Sequence, residues 1–380
     1  MQGGLTSWAS FLLRAIGEHS PHQATIVSVA TARNDAASRC ALNPSSWRRG
    51  PEVVKGVYGG VSFSHVGGVL AEVEPIRYWP HKVLTTMLAM SDVILVVSGT
   101  PVWAHLARQA GKPIILQTAS FAAREREQSL HTATGLAGHW NRAMTEAVSL
   151  MEPGALRLAT KVFVLNKYAE RRIAAIVGAS RVARAPVGVD VAVFHPSEDY
   201  SEDGYLLVVG RMNDPRKNAE FLFRSYAKVR ARVPAAPRLV IAGEPPSKRL
   251  HDFVQEHGLS HHVHFVHNPT NDQLVALYQN ASLLLIPSAE EGFGIVAVEA
   301  MACGIPVIAT KCTGPEEVII EEETGHLVSL DADRFAAKID EALRDPAKRR
   351  RMAGIARTVA VERYSIAAAG EPYLQALNQL

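Results

Sequence analysis

Short, unbroken apolar runs recur along the first half of the chain: ATIVSVA at 24–30, DVILVVS at 92–98 and PIILQT at 113–118. A run without polar alternation suits a strand buried on both faces. Helix-like TPVWAHLARQA at 100–110 lies between the second and third. The rhythm resumes after residue 200 with YLLVV (205–209), RLVIA (238–242), VHFV (263–266), SLLLI (282–286) and PVIA (306–309). Helical periods fill the gaps at 218–231, 247–257, 271–280 and 294–302. Alternating strand and helix predicts an α/β protein with parallel sheets wrapped by helices. The stretch 185–204, APVGVDVAVFHPSEDYSEDG, has no helical period and reads as a linker between two such units. The tail 335–380 reads as helical, with an interruption at 364–366.

The start of the chain breaks the pattern. Residues 5–17 read as the first helix, and Gly3-Gly4 as the glycine turn before it. In a doubly wound unit a strand precedes that turn, and there is no room for one here. The expectation is an N-terminal unit lacking a strand that would sit mid-sheet, or a native start further upstream.

Composition narrows the class. A length of 380 residues favours two domains. The 47% hydrophobic and 20% charged fractions are those of a globular protein, and a net charge of +3 argues against a dedicated nucleic-acid binder. The three cysteines, Cys40, Cys303 and Cys312, form no CxxC pair and no disulfide framework. With no signal peptide and no run of 18 uncharged apolar residues, the chain reads as cytoplasmic. The small net charge conceals an asymmetry. Residues 1–185 carry 20 Lys plus Arg against 11 Asp plus Glu, whereas 186–380 carry 20 against 26. A basic first half suits a phosphate-bearing partner or peripheral contact with an anionic membrane at the inner face.

Two stretches carry candidate chemistry. The first, 287–319, reads PSAEEGFGIVAVEAMACGIPVIATKCTGPEEVI and follows a predicted strand. Gly292 and Gly294 flank Phe293, and a helix starts near Gly294. Bare N–H groups at a helix start attract anions, and glycine lets a phosphate approach. Glu291 precedes the helix. Glu299, eight positions on, can lean back toward the same end. A molecule with hydroxyls at both ends and phosphates between them, a nucleotide-sugar, would satisfy all of these groups. The second stretch is 208–218, VVGRMNDPRKN, at the end of the unit's first strand, where parallel sheets bind ligands. Arg211 and Lys217 place fixed positive charge there, which a departing diphosphate requires. In isolation, both would read as ordinary solvated loop charges.

These stretches resemble the family 4 (group 1) retaining glycosyltransferases of GT-B architecture. The resemblance rests on the acidic pair Glu291 and Glu299 in EGFGIVAVE and on Val209-Gly210-Arg211 with Lys217. GIPVIAT (304–310), GPEEVI (314–319), TGHLV (324–328) and PVGVDVAVFHP at the linker also contribute. It is strong over 186–335 and weaker, though in the right order, over 1–185. It implies two Rossmann-like domains facing across a cleft. An acceptor-side domain would span 1–185 and a nucleotide-sugar domain 186–362, with a helix at 363–380 returning to the first. It further implies catalytic roles for Glu291, Arg211 and Lys217, with Glu291 on the donor sugar and Arg211 and Lys217 on the diphosphate. Glu299 would bind the ribose, and Gly210, Gly292 and the amides of Phe293, Gly294 and Ile295 would line the donor. Asn268 would border the base, and Gly3 and Gly4 would face the phosphates. The reaction would retain anomeric configuration without a metal or cofactor. The acceptor would be a saccharide, a lipid-linked intermediate or a small molecule. A nucleotide-sugar-binding relative with impaired catalysis, or a partner-binding protein, is the competing reading.

Departures from the family pattern fall on the acceptor side and in the phosphate segment. Many relatives carry a histidine after the strand matching 113–118, but this chain reads LQTASFAAR there, leaving Thr118 and Ser120 as polar substitutes. The phosphate segment is one residue longer than usual. Six histidines between 251 and 267 read as a surface helix, turn and strand rather than metal ligands. The DxD spelling at Asp331-Ala332-Asp333 reads as a helix cap.

Overall fold

The computed structural model describes residues 4–31, 35–39, 46–47, 51–58, 61–70, 72–127, 130, 134–198, 204–233 and 235–380. It divides into two compact units. One comprises Leu5–Ala185 with Glu371–Leu380, the other Pro186–Gly370, with which Gly4 is grouped.

The unit beginning at Pro186 is built on a six-stranded parallel sheet. Its strands are β8 (Tyr205–Val209), β9 (Leu239–Gly243), β10 (Val263–His267), β11 (Ala281–Ile286), β12 (Val307–Thr310) and β13 (Gly325–Val328), in the order β10-β9-β8-β11-β12-β13. Every residue of β9, β11 and β12 is buried, as their unbroken apolar runs require. The edge strand β10 leaves His264 and His267 exposed and buries none of its residues fully. Phe221, Phe223, Tyr226 and Phe335 fill the layer between the sheet and the helices Ala219–Arg232 and Ala332–Arg344.

The other unit holds two sheets. One contains β1 (Ile26–Val29), β3 (Val61–Val66) and β2 (Val53–Tyr58) in the order β1-β3-β2, with β1 parallel and β2 antiparallel to β3. The second is parallel throughout: β4 (Ile94–Ser98), β5 (Ile114–Thr118), β6 (Lys161–Val164) and β7 (Val182–Arg184). Val27 and Val29 of β1 pack with Leu84 and Leu88 of the helix Lys82–Leu88, and Leu88 also packs on the cluster that contains Ile94 of β4. Both sheets therefore rest on one helical layer, yet among the described residues no strand pairs with the remaining edge of β1 or of β4.

The interruption expected at 364–366 is at Ser365, between the helices Pro346–Tyr364 and Ile366–Asn378. Tyr373 inserts into the first unit, lies 4.6 Å from the Phe163 ring and donates to Gln117 Oε1 at 2.5 Å. The tail is not one helical run before that point, because Asp345 caps a new helix that opens with Pro346. The predicted helix at 100–110 is a 3₁₀ segment, Pro101–Ala107. Among the described residues no helix is long and apolar enough to cross a membrane.

Candidate functional site

In the six-stranded sheet, strands 8, 9 and 10 run outward in one direction and 11, 12 and 13 in the other. The chain order therefore reverses between β8 and β11, and ligands of open parallel sheets bind beyond the strand ends at such a reversal. Both motif stretches begin there. Gly210 follows β8 and Pro287 follows β11.

The two loops are tied together. Ala289 N–H donates to the Arg216 carbonyl at 2.8 Å, and the Lys217 ammonium pairs with the Glu291 carboxylate. Both side chains of the pair are about four-fifths buried, at 19% and 18% exposed, so the contact is stronger than a solvated surface pair. Gly210 has φ +154°, which a side chain would strain. A Cβ on Gly243 would lie 2.0 Å from the Gly210 carbonyl oxygen, so the end of β9 must be glycine to pass behind this loop. Asp214 shapes the loop further. Its side chain accepts from the Arg216 backbone N–H at 3.1 Å and pairs with the Arg216 guanidinium at 2.7 Å. Burial would raise the Asp214 carboxyl, but Arg216 outweighs it and holds the group below the ordinary carboxylate range. Arg211 is more open, 57% exposed, and 3.6 Å from Asp214.

The glycine loop turns at Gly294, whose φ of +87° caps the helix Ile295–Ala302. Gly314 N–H donates to the Glu291 carbonyl at 2.8 Å, and a Cβ there would lie 2.7 Å from that oxygen, so Gly314 clamps the loop from below. Phe293 is buried edge-on against Tyr364, while Gly292 is half-buried. Glu299 keeps partial exposure as a residue, but burial of its carboxyl pushes the pKa up to about 7, although Tyr278 donates to it at 2.7 Å. Cys303 and Cys312 flank the two acids. Burial pushes both thiols up to about 12, so neither is a thiolate nucleophile.

The structure thus brings Gly210, Lys217, Glu291, Gly292, Phe293, Gly294 and Ile295 around one end of the sheet. Asn268 is exposed at the end of β10, with φ +44° and its N–H on the Gly243 carbonyl at 2.6 Å. Thr118 and Ser120 belong to the other unit. Thr118 is fully buried, its hydroxyl donating to the Gly99 carbonyl at 3.2 Å, so it fixes the loop after β5 instead of presenting a free hydroxyl. Ser120 is half-buried in the same turn. Gly4 opens the helix Gly4–His19, and Gly3 lies outside the described residues.

Among the described residues, the histidines of 251–267 join no group able to hold a metal ion. Asp331 caps the helix Ala332–Arg344 by accepting from Arg334 N–H at 2.9 Å, and Asp333 pairs with Lys228 and Arg232. Sequence reasoning missed Tyr278, Asp214, Gly243 and Gly314. Only Asp214, next to Pro215, carries a local signal, as a helix cap.

Residues 193–359 match the family described as glycosyl transferases group 1. A GDP-mannose-dependent α-(1-6)-phosphatidylinositol monomannoside mannosyltransferase of Mycolicibacterium smegmatis is 29% identical over 50% of this chain and 54% of its own. A D-inositol 3-phosphate glycosyltransferase of Acidothermus cellulolyticus is 31% identical over 58% of this chain and 55% of its own. The chain thus spans about half the length of these curated relatives. The fold is that of sucrose-phosphate synthase from Thermosynechococcus elongatus, with a TM-score of 0.74 at 23% identity, covering 99% of this chain and 93% of the other. Residues 193–359 contain both motif loops at the chain reversal, and this segment, less than half of the chain, is what matches the glycosyl transferases group 1 family.

Proposed function

We propose that the chain is a retaining, metal-independent glycosyltransferase that takes a sugar from a nucleotide-diphosphate sugar. The acceptor is a hydroxyl on a saccharide, a lipid-linked intermediate or a small molecule. The observation that carries this reading is the joining of Lys217 and Glu291 at the chain reversal between β8 and β11. A diphosphate set against Arg211, Lys217 and the amides of Phe293–Ile295 would have its charge met as the bond to the sugar breaks. Glu291 would hold sugar hydroxyls beside it, and Glu299, oriented by Tyr278, would accept from the ribose. In the retaining step the bond from the sugar's anomeric carbon to the diphosphate breaks. A bond to the acceptor oxygen forms on the same face, and the acceptor proton passes to the departing phosphate.

The test is incubation of the full chain with UDP- and GDP-sugars and an acceptor panel, with and without EDTA. Product configuration is read by NMR. The reading expects a product of unchanged anomeric configuration, formed equally in EDTA; an inverted product or an EDTA-quenched reaction contradicts it. The broken sheet of the first unit favours one alternative, a nucleotide-sugar-binding relative with impaired catalysis. Thermal stabilisation by a nucleotide-sugar without product from any acceptor would favour that alternative.

A further inference from the structure

The strand ends of the β4–β5–β6–β7 sheet carry a cluster that donor chemistry leaves unused. After β5 the chain passes through Thr118–Phe121 into the helix Ala122–Glu125. After β6, Asn166 caps the helix Lys167–Val177, accepting from Ala169 N–H at 2.8 Å. The Arg124 guanidinium lies 4.1 Å over the Tyr168 ring, and that of Arg172 lies 4.6 Å over the Phe121 ring. Arg172 Nη1 also donates to the Tyr168 hydroxyl at 2.8 Å. Two adjacent strand ends are thereby linked by guanidinium–aromatic contacts, with Tyr168 and Arg172 exposed and Arg124 half-buried. Burial would raise the Tyr168 phenol, but hydrogen bonds from Arg172 and Arg124 outweigh it and hold the group below its ordinary value.

Glu170 pairs with Arg184 at 3.0 Å, and Glu125 lies against Gly99. Glu152 is buried beneath, accepting from Ala122 N–H at 2.8 Å, and burial pushes its carboxyl up to about 7. It therefore carries only part of a charge at neutral pH. The first turn of the 11-residue helix Lys167–Val177 adds its positive dipole end. Planar guanidinium forks match the oxygens of a phosphate, and strand ends are where parallel sheets receive ligands.

We propose that Arg124, Arg172 and Tyr168 form a subsite for a phosphate group carried by the acceptor. This rests on the glycosyltransferase reading, with the acceptor held in this unit.

The experiment is thermal unfolding of the full chain titrated with inorganic phosphate, glucose 6-phosphate and glucose, in wild type, R124Q, R172Q and Y168F. The expected result is stabilisation by both phosphates and none by glucose, weakened at least about tenfold in each arginine variant. Y168F keeps the ring under Arg124 and should lose less. Equal phosphate responses in all four proteins would overturn the proposal. So would no response in a wild type that binds nucleotide-sugar normally. Binding to anionic phospholipid vesicles that the arginine variants abolish, without any response to glucose 6-phosphate, would overturn it in favour of a membrane surface. A separate donor titration keeps the two readings apart: loss of donor binding in wild type sinks the glycosyltransferase reading and leaves the phosphate response to be judged alone.

Discussion

The two units use the same α/β material to different effect. The unit from Pro186 closes one six-stranded sheet, and its site falls at the chain reversal between β8 and β11. The other splits its strands into β1-β3-β2 and β4-β5-β6-β7, and its polar groups collect at the ends of β5 and β6. A continuous sheet fixes two loops against each other tightly enough to bury an ion pair between them. A divided sheet supplies separate platforms whose loops are free to differ. The difference teaches that the loops at the chain reversal depend on backbone geometry, which glycines enforce, whereas the strand ends of the divided sheets are set by side chains on individual strands.

The largest effect that would sharpen this contrast comes from a matched pair of glycines. Gly243→Ala places a Cβ 2.0 Å from the Gly210 carbonyl oxygen, and Gly67→Ala places one 1.8 Å from the Ala37 carbonyl oxygen. Each should lower stability by about 3 kcal/mol in urea unfolding. Only Gly243→Ala should also abolish nucleotide-sugar binding; equal loss in both would erase the distinction between the units.

Next in size is Tyr278→Phe. It removes the hydroxyl that donates to Glu299, and stability should fall by about 1–2 kcal/mol. Donor affinity should fall as well, while the phosphate response of the first unit stays unchanged.

Each unit also buries one carboxyl raised to about 7, Glu299 in one and Glu152 in the other. The unfolded groups titrate near 4.5, so the folded forms bind protons more readily. That contribution to stability is fully present below the unfolded value and is lost as pH rises through about 7. Urea midpoints of Glu299→Gln and Glu152→Gln should therefore decline less than wild type between pH 5 and pH 8. Parallel slopes in all three proteins would show that neither carboxyl is raised.

The smallest effect expected is at the surface. Asp333→Ala loses exposed pairs with Lys228 and Arg232 and should shift stability by less than about 1 kcal/mol. Asp331→Ala, which removes a helix cap, should cost about 1 kcal/mol.

The unit from Pro186 was legible in the sequence because its strands are unbroken apolar runs and its motifs sit at their ends. Glu291 and Lys217 could be named from spacing, but their direct pairing required two loops 74 positions apart to meet. Tyr278 gave no local sign. It reaches Glu299 because the helices Asn271–Gln279 and Ile295–Ala302 belong to successive turns of the same wound sheet. The first unit was harder. Strands β6 and β7 have four and three residues, too short for a period to register. The 24-residue helix Gly135–Leu158 contains Pro153 and three glycines, which mask its pattern. In β2, Gly56 breaks the apolar run of the sequence, and its lack of a Cβ leaves room for the Phe63 ring of its pairing partner on β3. The phosphate cluster arises from aromatic contacts between segments more than forty positions apart, which spacing alone does not reveal.

Calorimetric titration of UDP- and GDP-sugars into wild type, Lys217→Ala, Glu291→Ala and Arg172→Gln tests the central claim most directly. The account predicts that one nucleotide-sugar binds wild type and Arg172→Gln alike, and that its affinity falls at least about tenfold in both variants at the chain reversal. Unchanged affinity in Lys217→Ala and Glu291→Ala would contradict it.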